Sequence, residues 1–338
     1  MLGWGQPAYR GRQIFHWIHR RGVLDPAEMT DIPLGLRERL ESNPSEEVRR
    51  LHSSDGLTSK LLLQLHDGQQ IEAVEMNTEV GRKTICVSTQ AGCAMGCVFC
   101  VTGQFGFARN LDAGEIVEQV LRFSTPTAPV TNVVFMGMGE PLANYDESLR
   151  AIRLFIHPDG LRLGARRITL STSGLVPQMR RLADEGLQIG LAISLHAPND
   201  ELRSTLMPVN RRWPISELLD AADYYVNRTH RRVSYEYTLM AGLNDSDALA
   251  LDLAELLQGR LCHVNLIPLN PNEDLSLHAS SAARALAFEA RLREAGIAAT
   301  IRVNRGRDIL AACGQLRLAE KKRSATSNQP LLALTAEH

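Results

Sequence analysis

From about Arg82 onward the sequence repeats a single unit, a short β-forming run followed by an amphipathic stretch, and this repetition constrains the fold more than any other feature. Strands are expected at Thr84 to Ser88, Asn132 to Met136, Ile168 to Thr172, Leu191 to Leu195, Val233 to Leu239 and Val264 to Ile267, with a further one at Thr300 to Val303. Helical periodicity lies between them at Ala113 to Phe123, Glu147 to Phe155, Ile215 to Arg228, Ser246 to Leu257 and Ala282 to Ala295. Alternation of this kind predicts a parallel sheet with helices outside, because parallel strands need a long crossover between them. The expected fold is α/β, a partial (β/α)6 barrel that is wide or incompletely closed.

Two smaller regions precede the barrel. Residues 1–47 read as a helical accessory domain, in which Ile14, Phe15, Trp17 and Ile18 interleave with Arg10, Arg12, His16, His19, Arg20 and Arg21. This face suits either RNA or plain solvent. Residues 48–80 change to strand-like alternation broken by Asp55-Gly56 and Asp67-Gly68, which predicts a three-stranded antiparallel extension. The barrel is expected over 81–318, and a weakly ordered tail over 319–338.

Composition narrows the function classes. No run of about eighteen apolar residues occurs and no secretory leader opens the chain, so no membrane role is expected and the compartment expected is the cytoplasm. Lys plus Arg (37) nearly equals Asp plus Glu (38), so net charge does not point to nucleic acid and any RNA contact must come from local patches. Only four of the basic residues are lysines. The arginine excess suits bidentate contacts to phosphates and bases, and a GC-rich genome would produce the same bias.

Three of the six cysteines stand as C-x-x-x-C-x-x-C at Cys93, Cys97 and Cys100, just after the first barrel strand. In a cytosolic chain such a cluster argues for metal or redox chemistry and against a disulfide framework. Three thiolates on one loop can hold three corners of a [4Fe-4S] cluster, leaving the fourth iron open to a small molecule. A zinc site completed by Cys86 or a histidine is the alternative, although zinc sites more often pair two C-x-x-C halves. An open iron needs a chelating ligand, and the amino and carboxylate groups of S-adenosylmethionine would provide one together with radical chemistry.

The remaining polar motifs fall at the C-terminal ends of the expected strands, where barrels of this type place their chemistry. Gly137-Met138-Gly139-Glu140-Pro141 follows the second strand, and its glycines would let the backbone approach a ligand while Glu140 adds an acceptor. Ser171, Ser194, His196 and Asn270 follow later strands and could bind ribose, carboxylate or adenine, each alone being equally well explained as a loop-edge residue. Cys262 reads as a small buried hydrophobe. Cys313 sits between Gly306 and Gly314, which favours an exposed loop thiol able to act as a nucleophile.

Taken together, the segment Cys86 to Cys100, the Gly-Glu-Pro turn, Leu170-Ser171-Thr172-Ser173-Gly174, Ile193 to Asp200, Asn265 to Asn270 and Ala311-Ala312-Cys313-Gly314-Gln315-Leu316 resemble the RlmN/Cfr family of radical S-adenosylmethionine RNA methyltransferases. The likeness runs over nearly the whole chain. It implies methylation of adenine C2 in 23S rRNA at the peptidyl-transferase centre, and in dual-specificity members also of the adenosine beside the tRNA anticodon. Also implied are two S-adenosylmethionine molecules per turnover, an electron donor such as flavodoxin or ferredoxin, and a monomeric enzyme. Gly139, Glu140, Ser171, Ser194, Leu195, His196 and Asn270 are the expected S-adenosylmethionine contacts.

By the same resemblance Cys313 carries the methyl group and, after hydrogen abstraction by a 5′-deoxyadenosyl radical, tethers it to the base. Cys86 then resolves the adduct through a transient disulfide with Cys313. The proton acceptor matches Glu72 in Ile71-Glu72-Ala73-Val74, with Glu75 the alternative. Two departures stand out: the chain begins almost at its first expected helix, and Val101 follows the third cysteine where alanine is more usual. A C8-methylating branch carries the same cysteines, and Pro141 looks more like the C2 branch.

Overall fold

The computed structural model of the chain describes residues 2–40, 44–125, 127–270, 276–302, 305–312 and 314–316. Cys313 and the tail expected at 319–338 lie outside the described residues. Helices α1 (Ala8–Arg21) and α2 (Leu34–Arg37) enclose a small core of Ile14, Trp17, Met29, Ile32 and Leu36. On the outer side of α1, Phe15 packs between His19 and His157, with ring centroids 4.2 and 4.7 Å away, and so seats this unit against the barrel.

Strands β1 (Glu46–His52), β2 (Thr58–Gln64) and β3 (Gln70–Asn77) form the antiparallel meander, turned at the two Asp-Gly pairs. Its third strand pairs antiparallel with β4 (Lys83–Cys86), placing Val74 opposite Cys86. The meander is therefore the flank of the barrel sheet and not a separate layer. After β4 come a small hairpin of β5 (Gln90–Gly92) and β6 (Phe107–Asn110), which brackets the short helix α3 (Val101–Gln104), and then helix α4 (Ala113–Leu121). The sheet continues in parallel through β7 (Asn132–Phe135), β8 (Ile168–Thr172), β9 (Gly190–Ser194), β10 (Val233–Leu239), β11 (Cys262–Pro268) and β12 (Ala299–Ile301). Helices α5 (Tyr145–Ile156), α6 (Val176–Asp184), α7 (Asp200–Leu206), α8 (Ile215–Thr229), α9 (Asp247–Leu257) and α10 (Ala282–Glu294) provide the crossovers. Among the described residues no helix is long and apolar enough to cross a membrane.

Four helices begin at side-chain caps. Asp112 and Glu115 form a reciprocal capping box on α4, and Asn199, Ser246 and Ser281 accept from the first turns of α7, α9 and α10. Besides the one-turn α3, helices α6 and α7 lie outside the sequence expectation. Pro177 reads as a breaker but sits in the first turn of α6, where a missing N–H does no harm. Helix α7 has only seven residues, too few for its periodicity to register.

In the main sheet strand order follows chain order from β1 to β12, and among the described residues no pairing joins those two outer strands. The barrel is open. Residues 305–312 lie across the gap: the Ser54 N–H donates to Asp308 Oδ2 (2.7 Å), Lys60 Nζ to the Leu310 carbonyl (3.2 Å), and Arg305 Nη1 to the Asn77 carbonyl (2.6 Å). This strap is held mainly by these polar contacts, with Ala311 packed against the core, whereas the core itself is held by buried residues such as Phe155, Tyr225, Tyr237 and Phe288. Asp308→Ala should therefore speed hydrogen exchange in 305–312 while costing only about 1 kcal/mol globally. Phe288→Ala should cost about 3–5 kcal/mol. Equal losses of melting temperature in the two variants would contradict a separable strap.

Candidate active site

The three clustered cysteines lie on a loop fixed at both ends. At its start the Cys93 N–H donates to the Gly106 carbonyl (2.8 Å), and Gly92 has φ +81° with a would-be Cβ only 2.1 Å from that carbonyl oxygen, so no side chain fits there. At its end the Val101 N–H donates to the Gly314 carbonyl (3.0 Å) and Thr102 Oγ1 to the Leu316 carbonyl (2.6 Å). Thus the residues just after Cys313 are bonded to the segment just after Cys100.

Cys93, Cys97 and Cys100 line one cavity at the C-terminal mouth of the barrel. Burial pushes the Cys93 thiol up to about 12 and raises that of Cys97, with neighbouring thiolates and Glu140 adding to the effect. Bare thiolates are therefore unfavourable at this spot, and a cationic iron core reverses the balance because a coordinating thiol is deprotonated outright. Among the described residues no three His, Cys, Asp or Glu side chains gather closely enough for one ion. Three thiols lining one cavity suit a cluster in which each takes its own iron.

Gly137, Gly139 and Glu140 line the same cavity, but the close approach that the glycines permit is to protein. A Cβ at Gly137 would stand 2.7 Å from Ser88 Oγ, and one at Gly139, where φ is +99°, 2.6 Å from Gln90 Cβ. The turn after β7 is pressed onto the segment joining β4 to β5. Glu140 is only 3% exposed, and its carboxylate accepts from the Leu142 N–H (3.0 Å) and the Ser173 N–H (2.6 Å). It thereby ties the turn after β7 to the turn after β8, while burial raises its pKa.

Ser171, Ser194, His196 and Asn270 also line the cavity. His196 holds a left-handed backbone (φ +58°), its Nδ1 accepts from the Thr238 N–H (2.9 Å), and its ring centroid lies 4.4 Å from that of Phe99. That bond leaves the ring proton on Nε2. Burial, aided by the Arg203 charge, lowers its pKa to about 3, so the ring is neutral at working pH. Leu195 is different: its side chain belongs to the main core, and its carbonyl accepts from Arg203 Nε (3.2 Å).

A second cavity adjoins the first, sharing Met136 and Arg302, and is lined by Cys86, Val74, Met76 and Thr84. Side chains alternate along β3, so Glu72 stands on the same strand face as Val74 and Met76, and Glu75 on the other. Glu72 is buried and pairs with buried Lys60 (2.8 Å), whose Nζ also holds the Leu310 carbonyl. Glu75 pairs instead with Lys83 (2.8 Å). Of the residues flanking Cys313, Ala312 lines the second cavity and Gly314 the first. The expected pairing of Cys86 with Cys313 involves a residue outside the described residues.

Three residues went unread at the sequence level. Glu236 is buried on β10, bonded to Asn265 Nδ2 (2.8 Å), and lines the cavity. Lys60 and Arg203 are the others, and both look like ordinary surface cations in a linear sequence. Arg203 is fully buried on α7, donating to the carbonyls of Ser173 (2.7 Å) and Ser194 (3.0 Å) and to Asn210 Oδ1 (2.7 Å).

Comparison with known proteins agrees with this geometry. The Radical SAM superfamily model matches residues 87–254, and that of the ribosomal RNA large subunit methyltransferase N-terminal domain matches residues 1–44. A probable dual-specificity RNA methyltransferase RlmN of Moorella thermoacetica is 49% identical over 330 residues, covering 94% of this chain and 93% of its own. The protein of the same description from Frankia alni is 52% identical over 329 residues, covering 92% of this chain and 78% of its own. The crystal structure of a radical SAM methyltransferase from Sphaerobacter thermophilus superposes with a TM-score of 0.91 at 52% identity, covering 94% of this chain and 95% of that one. With relatives this similar over nearly its full length, the chain belongs to the RlmN family of radical SAM RNA methyltransferases, which work with a [4Fe-4S] cluster and S-adenosylmethionine.

Proposed function

We infer that this protein is a dual-specificity RNA methyltransferase that methylates C2 of adenosine in 23S rRNA at the peptidyl-transferase centre, and C2 of the adenosine beside the anticodon in tRNA. The observation that carries the reading is the junction of the two cavities, with the cysteine triad lining one, Cys86 lining the other, and the neighbours of Cys313 divided between them. The relatives are described as probable dual-specificity RNA methyltransferases, which supports RNA as the substrate and more than one target.

C2 of adenine is electron-poor and cannot displace a sulfonium methyl as a nucleophile. The cluster and S-adenosylmethionine, when bound, supply the one-electron chemistry that such a carbon accepts. A flavodoxin- or ferredoxin-type donor would supply that electron, and the enzyme is read as a cytoplasmic monomer. The chain's own residues do the rest. Cys313 holds the methyl carbon as a thioether and delivers it to the base. Glu72, held by Lys60 on the cavity-facing side of β3, takes the C2 proton. Cys86 attacks the Cys313 sulfur; the sulfur–carbon bond breaks with its electron pair going to the new carbon, which takes up a proton, and a disulfide remains for cellular thiols to reduce.

The direct test is nucleoside mass spectrometry of rRNA and tRNA from a strain lacking the gene and from the same strain with it restored. Restoration should bring back 2-methyladenosine in both RNAs, whereas recovery of 8-methyladenosine would overturn the assignment. Purified Cys86→Ala should carry RNA bound through a thioether, stable to denaturing electrophoresis and to reductant but released by nuclease. An RNA-free variant with normal turnover would make Cys86 structural only. Glu72→Gln should slow adduct release by roughly 10²–10⁴-fold, while Glu75→Gln, on the opposite strand face, should change it little. Equal rates in single-turnover experiments would remove Glu72 from its role.

A further inference from the structure

We propose that Arg203 is the built-in counter-charge of the thiolate-bound cluster, a fixed cation behind the cavity wall that raises the cluster's reduction potential. The proposal rests on the cluster alone and not on which RNA position is methylated. Arg203 has 0% exposure and heads the fully buried side chains of the molecule. Its bonds run to neutral oxygens: the carbonyls of Ser173 (2.7 Å), Ser194 (3.0 Å) and Leu195 (3.2 Å), and Asn210 Oδ1 (2.7 Å). Among the described residues no carboxylate stands within ion-pair distance of it. Asp200, on the same helix, turns its carboxylate to the Ile215 N–H (2.8 Å) and to Asn210 Nδ2 (2.9 Å).

A buried arginine without an anion is costly, by several kcal/mol for an ion taken out of water. Carbonyl dipoles solvate the charge but do not neutralise it. The cysteine loop packs against the same helix. Ser173 and Ser194, whose carbonyls Arg203 grips, line the cavity with the three cysteines, and Leu206 at the end of the same helix accepts from the Val98 N–H (3.1 Å) inside the cysteine loop. Burial lowers the arginine's pKa only to about 10, so it stays charged, with Cys97 and then Asp200 as the opposing groups acting on it.

A [4Fe-4S] core held by three thiolates has roughly one net negative charge, and a second after one-electron reduction, with potential set by net charge and surroundings. A fixed cation nearby favours the reduced form more than the oxidised one, because the attraction scales with the charge attracted. Fusing the clamp and the charge in one side chain means that the strand ends lining the cavity and the driving force for reduction are set together.

The test compares Arg203→Met, Arg203→Gln and Arg203→Lys with the parent as reconstituted holoproteins, reading iron content and the midpoint potential from an EPR-monitored redox titration. The neutral variants should bind a full cluster whose potential shifts to more negative values, and Arg203→Lys should stay near the parent. A full cluster at the parent's potential in the neutral variants overturns the proposal, as does an equal shift in Arg203→Lys, which would trace the effect to the lost hydrogen bonds. If the neutral variants fail to hold a cluster while Arg203→Lys holds one at the parent's potential, the charge is needed for loading as well and the proposal stands. Failure of Arg203→Lys along with them would assign Arg203 to the clamp alone.

Discussion

A parallel sheet that stops short of closing leaves its concave face to be covered by something other than strands. In this chain that single constraint organises the rest. The meander extends the sheet on one side through the β3–β4 pairing, and the strap at residues 305–312 bridges from β12 back to it. Between them remains one mouth, at which the turns after β4, β7, β8, β9 and β11 meet. The chemistry sits where backbone pairing runs out, as it must in a barrel whose strands all point one way.

Side chains replace strand pairing at that mouth. Asn144 Nδ2 donates to the carbonyls of Thr89 (2.9 Å) and Leu111 (2.7 Å), and Gln119 bonds both the N–H and the carbonyl of Ser88. Asn244 Nδ2 holds the His196 (2.9 Å) and Thr238 (2.7 Å) carbonyls, and Glu140 and Arg203 complete the set. These are buried polar groups whose partners are loop backbone atoms, and an unmet partner there would carry a desolvation penalty of about 1–3 kcal/mol. The rim is therefore stiff before any ligand arrives, which is what positioning a reactive intermediate demands.

Much of this was legible in the sequence because it rests on periodicity and covalent spacing. The strands at Ile168–Thr172 and Val233–Leu239 fall where β-branched and aromatic runs place them, and the cysteine spacing announces its loop. What separates Glu72 from Glu75 was not legible, because two acidic residues three apart on one strand differ in which face of β3 they occupy, and what each face meets needs the register with β2 and β4. Nor did sequence reveal what Glu140 and Leu195 touch, since Glu140 lines the cavity while its carboxylate bonds to neighbouring loops, and Leu195 sits in the core beside residues that line it. Arg203 was hidden for a different reason: in an arginine-rich chain nothing local separates a buried guanidinium from a solvated one.

The strap has a consequence for the order in which the molecule can be finished. Its contact to the meander joins residues 254 apart in sequence, Ser54 with Asp308, and the Lys60–Leu310 contact spans 250. Every strand of the sheet, and the whole cysteine loop, leaves the ribosome before the strap does. During synthesis the half-made enzyme has its cysteine loop in place and one wall missing, so access from the side ends only when the strap arrives. Closure is thus a late event in the life of each chain, and the bonds from Val101 and Thr102 to Gly314 and Leu316 are the stitches that complete it.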